Sequence, residues 1–307
     1  MPKLTIGHTL KSRFVVLAQK LEKLRYARTV SRVVHSDPVD RGVLPFTLLS
    51  MVHKRDVRSY LLAVTSFTRF LNPRRIVMVA DPTIDSEDMS VLSRLIPHIE
   101  IRRAEDFRHP ALPIGGCWER LFAISGYADQ DYVIQLDADT VTLRDPAEVG
   151  EMITSRRAFV LAGGQESAVM TVAESVEFWR QRIPMGGHIQ ERSERGFLDA
   201  SVPADDRYVR GCAGFSGFPA GGDYVSRVLE FSARMQAHLG RDWSSWGTEQ
   251  VASNYLAANS PSCAVLPFPR YGSPPDTTLA DTFCHFIGHV RFASDLYRRA
   301  AVMILGN

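Results

Sequence analysis

The chain has 307 residues, 45% of them apolar and 23% charged. These proportions exclude a disordered, fibrous or low-complexity chain, and the length allows one large α/β domain or two smaller ones. Lys plus Arg number 36 against 34 Asp plus Glu, too balanced for a protein that wraps nucleic acid, so no nucleic-acid partner is expected.

The charge is unevenly spread. All five lysines (Lys3, Lys11, Lys20, Lys23, Lys54) lie in the first 54 residues. From Lys11 to Arg32 there are seven cations (Lys11, Arg13, Lys20, Lys23, Arg25, Arg28, Arg32) and one acid, Glu22. Residues 12–34 mix these with apolar Val15, Val16, Leu21, Leu24, Tyr26 and Val30 and read as an amphipathic helix. It is either a solvated helix packed on the domain or a basic helix lying on an anionic membrane through residues 11–32. The opening MPKLTIGHTLKSRF lacks the apolar core of a signal peptide, and no apolar run approaches about 18 residues. Cys117, Cys212, Cys263 and Cys284 form neither a CxxC pair nor a zinc spacing, which fits a reducing compartment. The expected location is the cytoplasm, peripherally on the inner face of a membrane.

After a linker at 35–44, strands and helices alternate. Pro45–Val52 reads as a strand and 55–71 as a helix. Arg75–Val79 is a strand, Asp85–Ile96 a helix capped by Asp85 or Ser86, and Ile99–Ile101 a strand. Cys117–Tyr127 is a helix and Tyr132–Leu136 a buried-type strand. This order predicts an α/β fold with a mostly parallel sheet and helices on both faces. Arg157–Ala162 reads as a further strand. Residues 163–208 are polar and irregular, with a helix near Val172–Gln181 and a Gly-Gly at 186–187, and read as a functional insertion. Helices are expected at Tyr224–His238 and Gly247–Ala258. The resulting division is a basic helix and linker at 1–42, one domain at 43–295 and a tail at 296–307.

In open parallel sheets ligands bind beyond the carboxyl ends of the strands. Asp137-Ala138-Asp139-Thr140 follows YVIQL directly. Two carboxylates at i and i+2 leaving a strand can share one hard cation, such as one that bridges a diphosphate. A second pair, Asp129 and Asp131, precedes the strand and reads as a solvated turn. Further on, His285-Phe286-Ile287-Gly288-His289-Val290-Arg291 offers an imidazole that would complete a mixed O/N site suited to Mn²⁺. Gly288 allows close backbone approach to a phosphate, and Arg291 offers a fork of donors. His289 reads as structural.

At these residues the sequence resembles the glycosyltransferases of A-type, Rossmann-like nucleotide-diphospho-sugar transferase fold. It is most similar to family 8, which includes glycogenin and bacterial lipopolysaccharide galactosyl- and glucosyltransferases. The pieces run in order: Arg120 before the DxD strand, YVIQLDADTVTLRDP, RAFVLA, Cys212-Ala213-Gly214 in place of the usual Asn-Ser/Ala-Gly, Glu249-Gln250 in place of Asp-Gln, and the His285, Gly288, Arg291 element. The resemblance covers about residues 45–292. It implies a metal-dependent hexosyltransferase that uses a nucleotide-sugar donor, a UDP-sugar, with retention, and a glycan or glycolipid acceptor. By the same resemblance, Asp137, Asp139 and His285 hold Mn²⁺ or Mg²⁺. Arg120, Asp137, Gly214, Gly288 and Arg291 bind the donor, and Glu249 and Gln250 act at the anomeric carbon. The strand end Ser50–His53 would lie near the base. Arginines of the insertion (Arg180, Arg182, Arg192, Arg195, Arg207) and Trp179 would meet the acceptor, unless they form a solvated loop. Arg120 and Glu249 also admit a reading as surface helix residues.

Three rivals follow from the same residues. DxDx(T/V) after an apolar strand also marks haloacid-dehalogenase-type phosphatases, but those carry it early and need a later lysine, and none follows here. A sugar-nucleotide pyrophosphorylase needs a glycine-rich loop after the first strand, and Ser50–Lys54 has no glycine. The departures at Cys212 and Glu249 would suit an inactive transferase-fold scaffold at the membrane surface.

Overall fold

A computed structural model of the chain describes residues 6–182 and 187–306, apart from the side chains of residues 6–14 and 289. The side chain of His289 and Gly186 of the expected Gly-Gly turn therefore lie outside the described residues.

In chain order the elements are α1 (Ile6–Val30), β1 (Leu44–Val52), α2 (Val57–Thr68), β2 (Pro73–Ala80), α3 (Ser86–Leu95), β3 (Ile99–Arg103), α4 (Trp118–Tyr127), β4 (Tyr132–Leu136), β5 (Thr140–Thr142), α5 (Ala147–Ser155) and β6 (Phe159–Ala162). Then come β7 (Val169–Thr171), α6 (Val172–Arg182), α7 (Ile189–Gly196), β8 (Arg207–Val209), β9 (Gly211–Phe218), α8 (Tyr224–Leu239), α9 (Thr248–Ala258), β10 (Ala264–Val265), β11 (Tyr271–Gly272), β12 (Phe283–His285) and α10 (Leu296–Leu305).

Seven strands form the main sheet in the order β10-β6-β9-β4-β1-β2-β3. β1 is parallel to both β2 and β4, whereas β9 runs antiparallel between β4 and β6. The sheet is thus mixed and mostly parallel, as the alternating pattern predicts. β1, β2 and β4 bury nearly every residue on both faces, which is why they read as continuous apolar runs. One apolar cluster fills each face. α2, α3 and α5 cover one side, and α4, α8 and α9 the other. The strand order reverses between β1 and β4, where parallel sheets open a crevice for a ligand.

Local chemistry sets several boundaries. Asp85 caps α3 by accepting from the Asp88 amide at 3.0 Å, while Asp88 accepts from the Asp85 amide at 3.3 Å. Asp131 is not a solvated turn residue. It is 5% exposed, and its two carboxylate oxygens accept from Thr47 Oγ1 and Arg74 Nη2, each at 2.7 Å. It pins the amino ends of β1 and β4, at the opposite end of the sheet from the DxD pair.

Within the segment read as a tail at 296–307, Leu296–Leu305 forms α10, which packs against α1. Tyr26 stacks on Tyr297 at 3.9 Å, and its hydroxyl bonds Ser59 of α2 at 2.9 Å. Among the described residues no helix is long and apolar enough to cross a membrane.

The stretch 163–208 is more regular than predicted, holding α6, α7 and β7, which pairs antiparallel with β8. Val172, Val176, Phe197 and Tyr208 from this stretch enter the core cluster beneath α8 and α9. Glu194 of α7 goes with them. It is 1% exposed, accepts from Tyr208 Oη at 2.8 Å and lies 3.1 Å from Arg210 Nη1.

Burial raises the Glu194 carboxyl to about 7, outweighing the opposing pull of Arg210 and Tyr208. The folded state keeps the proton over a range in which the unfolded chain has released it. This contribution is therefore complete below the unfolded value near ~4.3 and is lost as pH rises through about 7. Glu194→Gln is expected to flatten the fall in stability by up to about 3 kcal/mol over that window. Urea unfolding of both proteins at mildly acidic and at neutral pH checks it, and identical pH slopes would refute it.

Candidate active site

The DxD pair stands where β4 leaves the sheet at the reversal of strand order. Three pairings set its geometry. β4 pairs with β9, so the Asp137 amide bonds the Gly214 carbonyl at 2.9 Å. Thr140 Oγ1 bonds the Asp137 carbonyl at 2.8 Å and closes the turn. β5 then pairs antiparallel with β12, setting His285 opposite Thr140, and the Phe286 amide bonds the Asp139 carbonyl at 2.8 Å. In this way a histidine 146 residues away reaches the carboxylates. His285 Nε2 is 3.1 Å from Asp139 Oδ1 and 3.8 Å from Asp137 Oδ2.

Asp137, Asp139 and His285 each place one ligand atom within 4.8 Å of the others. Two carboxylate oxygens and an imidazole nitrogen suit a divalent ion of the Mn²⁺ or Mg²⁺ kind, so the residues fit the metal that the sequence suggests. The other ring nitrogen, Nδ1, lies 3.3 Å from Cys212 Sγ. Cys212 thus orients the imidazole, which gives the departure from asparagine a structural role. Burial opposes charge on His285, but Cys212 and Asp139 outweigh it and hold the imidazolium well above its usual pKa.

Gly214 serves this ring too. A Cβ there would lie 2.0 Å from His285 Cε1, so only glycine leaves room for the imidazole beside β9. Gly214, expected at the donor, is placed here against the histidine ring.

A second cluster joins the first. Trp118 Nε1 donates to Thr248 Oγ1 at 3.1 Å and ties the start of α4 to the start of α9. Arg120, two residues along α4, therefore meets Glu249, the next residue of α9. Arg120 Nη2 donates to both Glu249 oxygens at 3.1 Å, and Nη1 donates to Asp137 Oδ1. Arg120 is 6% exposed and Glu249 4%, so neither is a surface helix residue. Burial raises the Glu249 carboxyl to about 7 against the pull of Arg120. Burial also raises Asp137, although Arg120 and His285 oppose it. Asp139 goes the other way, because His285 and Arg291 outweigh its burial. One guanidinium is serving two carboxylates, the buried Glu249 and the half-buried Asp137.

Gln250 accepts from the Ala213 amide at 3.3 Å and braces β9 against α9. Gly288 sits at φ +40 with open space around its missing side chain, a backbone suited to glycine. Arg291 is turned onto carboxylates, donating to Asp139 Oδ2 and, at 3.2 Å, to Asp56 Oδ1. Asp56 carried no sequence signal, and neither did Trp118. Both sit in ordinary helix-start contexts and gain meaning only from partners more than a hundred residues away.

Other expected residues fall elsewhere. Ser50 is buried and donates to the Leu136 carbonyl at 2.6 Å, next to the DxD pair. His53 pairs with Asp81 at 3.0 Å and borders a cleft of ≈ 730 Å³ with Lys54, Arg55 and Thr83. Lys54, the last lysine of the sequence, is held by Asp85 and Asp88, which leaves Asp137 without the lysine a phosphatase would need. Arg180 pairs with Asp199 at 3.0 Å and Arg192 with Asp242 at 2.7 Å. Together with Arg195 and His238 they line a separate cavity of ≈ 410 Å³. Trp179 carries the Arg210 guanidinium 4.5 Å above its ring, so that face is already covered.

No protein-family model matches the sequence, and no curated protein does. Among solved structures, the chain is similar to the galactosyltransferase LgtC in complex with donor and acceptor sugar analogs. The identity is 13% and the TM-score 0.53, over 85% of this chain and 95% of that one. An active-site mutant of LgtC gives 13% and 0.52, over 84% and 95%. The bifunctional glycosyltransferase WbbM, in its apo structure, gives 15% and 0.53, over 89% of this chain and 51% of WbbM, so this chain spans about half of that protein. At such identities the likeness is one of fold, and the fold is that of the A-type glycosyltransferases.

Gly214→Ala is expected to displace the His285 ring, at about 1–3 kcal/mol of stability, and to abolish Mn²⁺ binding. Thermal melting and Mn²⁺ titration by electron paramagnetic resonance test it. A variant that binds Mn²⁺ like the wild type would contradict this role for Gly214.

Proposed function

We propose that the chain is a metal-dependent glycosyltransferase that moves a hexose from a UDP-sugar to a glycan or glycolipid acceptor with retention of configuration. The observation that carries the reading is the convergence of Asp137, Asp139 and His285 at the reversal of strand order, beside the buried Arg120–Glu249 pair. The names of the solved structures that share the fold, a galactosyltransferase and a bifunctional glycosyltransferase, point the same way.

Asp137, Asp139 and His285 would hold Mn²⁺ or Mg²⁺. When bound, the ion supplies positive charge against the diphosphate that leaves. Each protein group then has a task. His285 must give up its proton to act as a ligand, and Asp139 is already ionised. Arg291 exchanges Asp139 for a diphosphate oxygen, and Gly288 lets the backbone approach it closely. Arg120 holds Asp137 and Glu249 in fixed positions. The Arg120 pair fixes the Glu249 carboxylate near Gln250, where it would face the sugar and stabilise an oxocarbenium-like state as negative charge. UDP-sugars are cytoplasmic metabolites in this reading, and the enzyme works at the inner face of a membrane that carries the acceptor.

A matched UDP-hexose at about 100 times its Kd adds about 2.7 kcal/mol and raises Tm by about 5 °C. The rise is expected only with Mn²⁺ or Mg²⁺ present and is expected to vanish in Asp139→Asn. A thermal-shift series over nucleotide sugars reads both outcomes. A cooperatively melting protein that responds to no nucleotide sugar would defeat the proposal.

A further inference from the structure

α1 has two faces. Glu22, Tyr26 and Val30, spaced four residues apart, turn inward and are buried. Tyr26 stacks on Tyr297, and Glu22 accepts from Arg298 Nε at 2.8 Å. At about 100° per residue, Leu17, Leu21 and Leu24 fall on the opposite side of the helix. They are 54%, 46% and 67% exposed.

The charges complete the pattern. Lys20 and Lys23 border the leucine stripe on one side and Arg25 on the other, and Arg28 continues it by a turn. All four are exposed. The only acid among residues 15–30 is Glu22, and it is on the inward face. The outward face of this stretch therefore carries apolar and cationic side chains and no anion. A solvated helix does not need three leucines in one outward row. A protein partner with an apolar groove would explain the leucines but not the cations on both flanks. A bilayer with acidic headgroups accommodates both, because leucines enter the acyl boundary while lysines and arginines extend to the phosphates.

We propose that the outward stripe Leu17–Leu21–Leu24, with Lys20, Lys23, Arg25 and Arg28, docks the protein on the surface of an anionic phospholipid bilayer. α1 lies in the plane of the interface, with α10 on its other side. The proposal fixes which face of the helix meets lipid, and it rests on exposure and charge alone, independently of what the DxD site transfers.

The test is flotation of the full chain with vesicles of phosphatidylcholine alone and of equal parts phosphatidylcholine and phosphatidylglycerol. The protein is expected to float with the mixed vesicles, not with the neutral ones, and to be released by high salt. Leu17→Ser/Leu21→Ser/Leu24→Ser and, separately, Lys20→Glu/Lys23→Glu are expected to weaken partitioning by about ten-fold or more. Because these side chains are exposed, both variants are expected to keep the wild-type Tm and the wild-type response to nucleotide sugars. Absence of flotation, or equal flotation of wild type and both variants, would overturn the proposal. So would a wild-type dimer in solution that the serine variant turns into a monomer, since the stripe would then be an interface between copies. Loss of nucleotide-sugar binding by Asp139→Asn, or its absence in the wild type, leaves the flotation result unaffected.

Discussion

The site depends on one guanidinium shared by two carboxylates, Glu249 buried and Asp137 half-buried. Arg120 meets both Glu249 oxygens at 3.1 Å and Asp137 with its other nitrogen. Bidentate geometry makes this a strong contact, but a single positive charge cannot offset two negative ones. Removing either partner would strand charge in the interior. The arrangement holds only because the fold fixes both helix starts, through the Trp118–Thr248 hydrogen bond at 3.1 Å, and fixes Asp137 through β9. Positions that look independent along the chain are therefore one electrostatic unit.

That unit continues into its neighbour. Asp139 is held by His285 and Arg291, and Asp56 holds Arg291 from the other side. Counting charges explains how such a cluster would receive its ligands. Asp137, Asp139 and a deprotonated His285 would hold a divalent ion, which would supply positive charge there, and Arg291 would then be able to turn from Asp139 to an anionic oxygen of a diphosphate. Burying these groups around one strand end would couple the binding of metal and nucleotide.

The parallel half of the sheet was legible in the sequence because β1, β2 and β4 are buried on both faces and therefore written in apolar runs. The DxD pair was legible for a positional reason: it follows such a run. β9 was not, because GCAGFSGF reads as loop. Its glycines are set by what crosses the strand. A Cβ on Gly217 would meet Phe159 at 2.3 Å, as one on Gly214 would meet His285. β5 and β12 are three residues each, too short for a periodic signal, yet their pairing delivers the histidine. The arginines of the 163–208 stretch were legible as charge, but their pairing was not. Composition shows charge but not its partner, and Arg180 and Arg192 find theirs in Asp199 and Asp242.

The two ends of the chain bear on the same site from below. Phe286, next to His285, stacks on Tyr297 at 4.1 Å with the rings 12° from parallel. Tyr297 stacks in turn on Tyr26. Val141 and Cys284 of the β5–β12 pair belong to the same apolar cluster as these rings. Aromatic stacks of this kind add about 0.5–1.5 kcal/mol each beyond the area they bury. They also fix distance, since two flat rings in contact have little freedom along their normal. α1 is thereby held in a set position relative to the His285 imidazole. If α1 rests on a bilayer through its outward stripe, the same stack sets how the mouth of the site faces that bilayer. An acceptor carried by lipid would then arrive at a fixed height and angle. A soluble acceptor would gain nothing from that constraint.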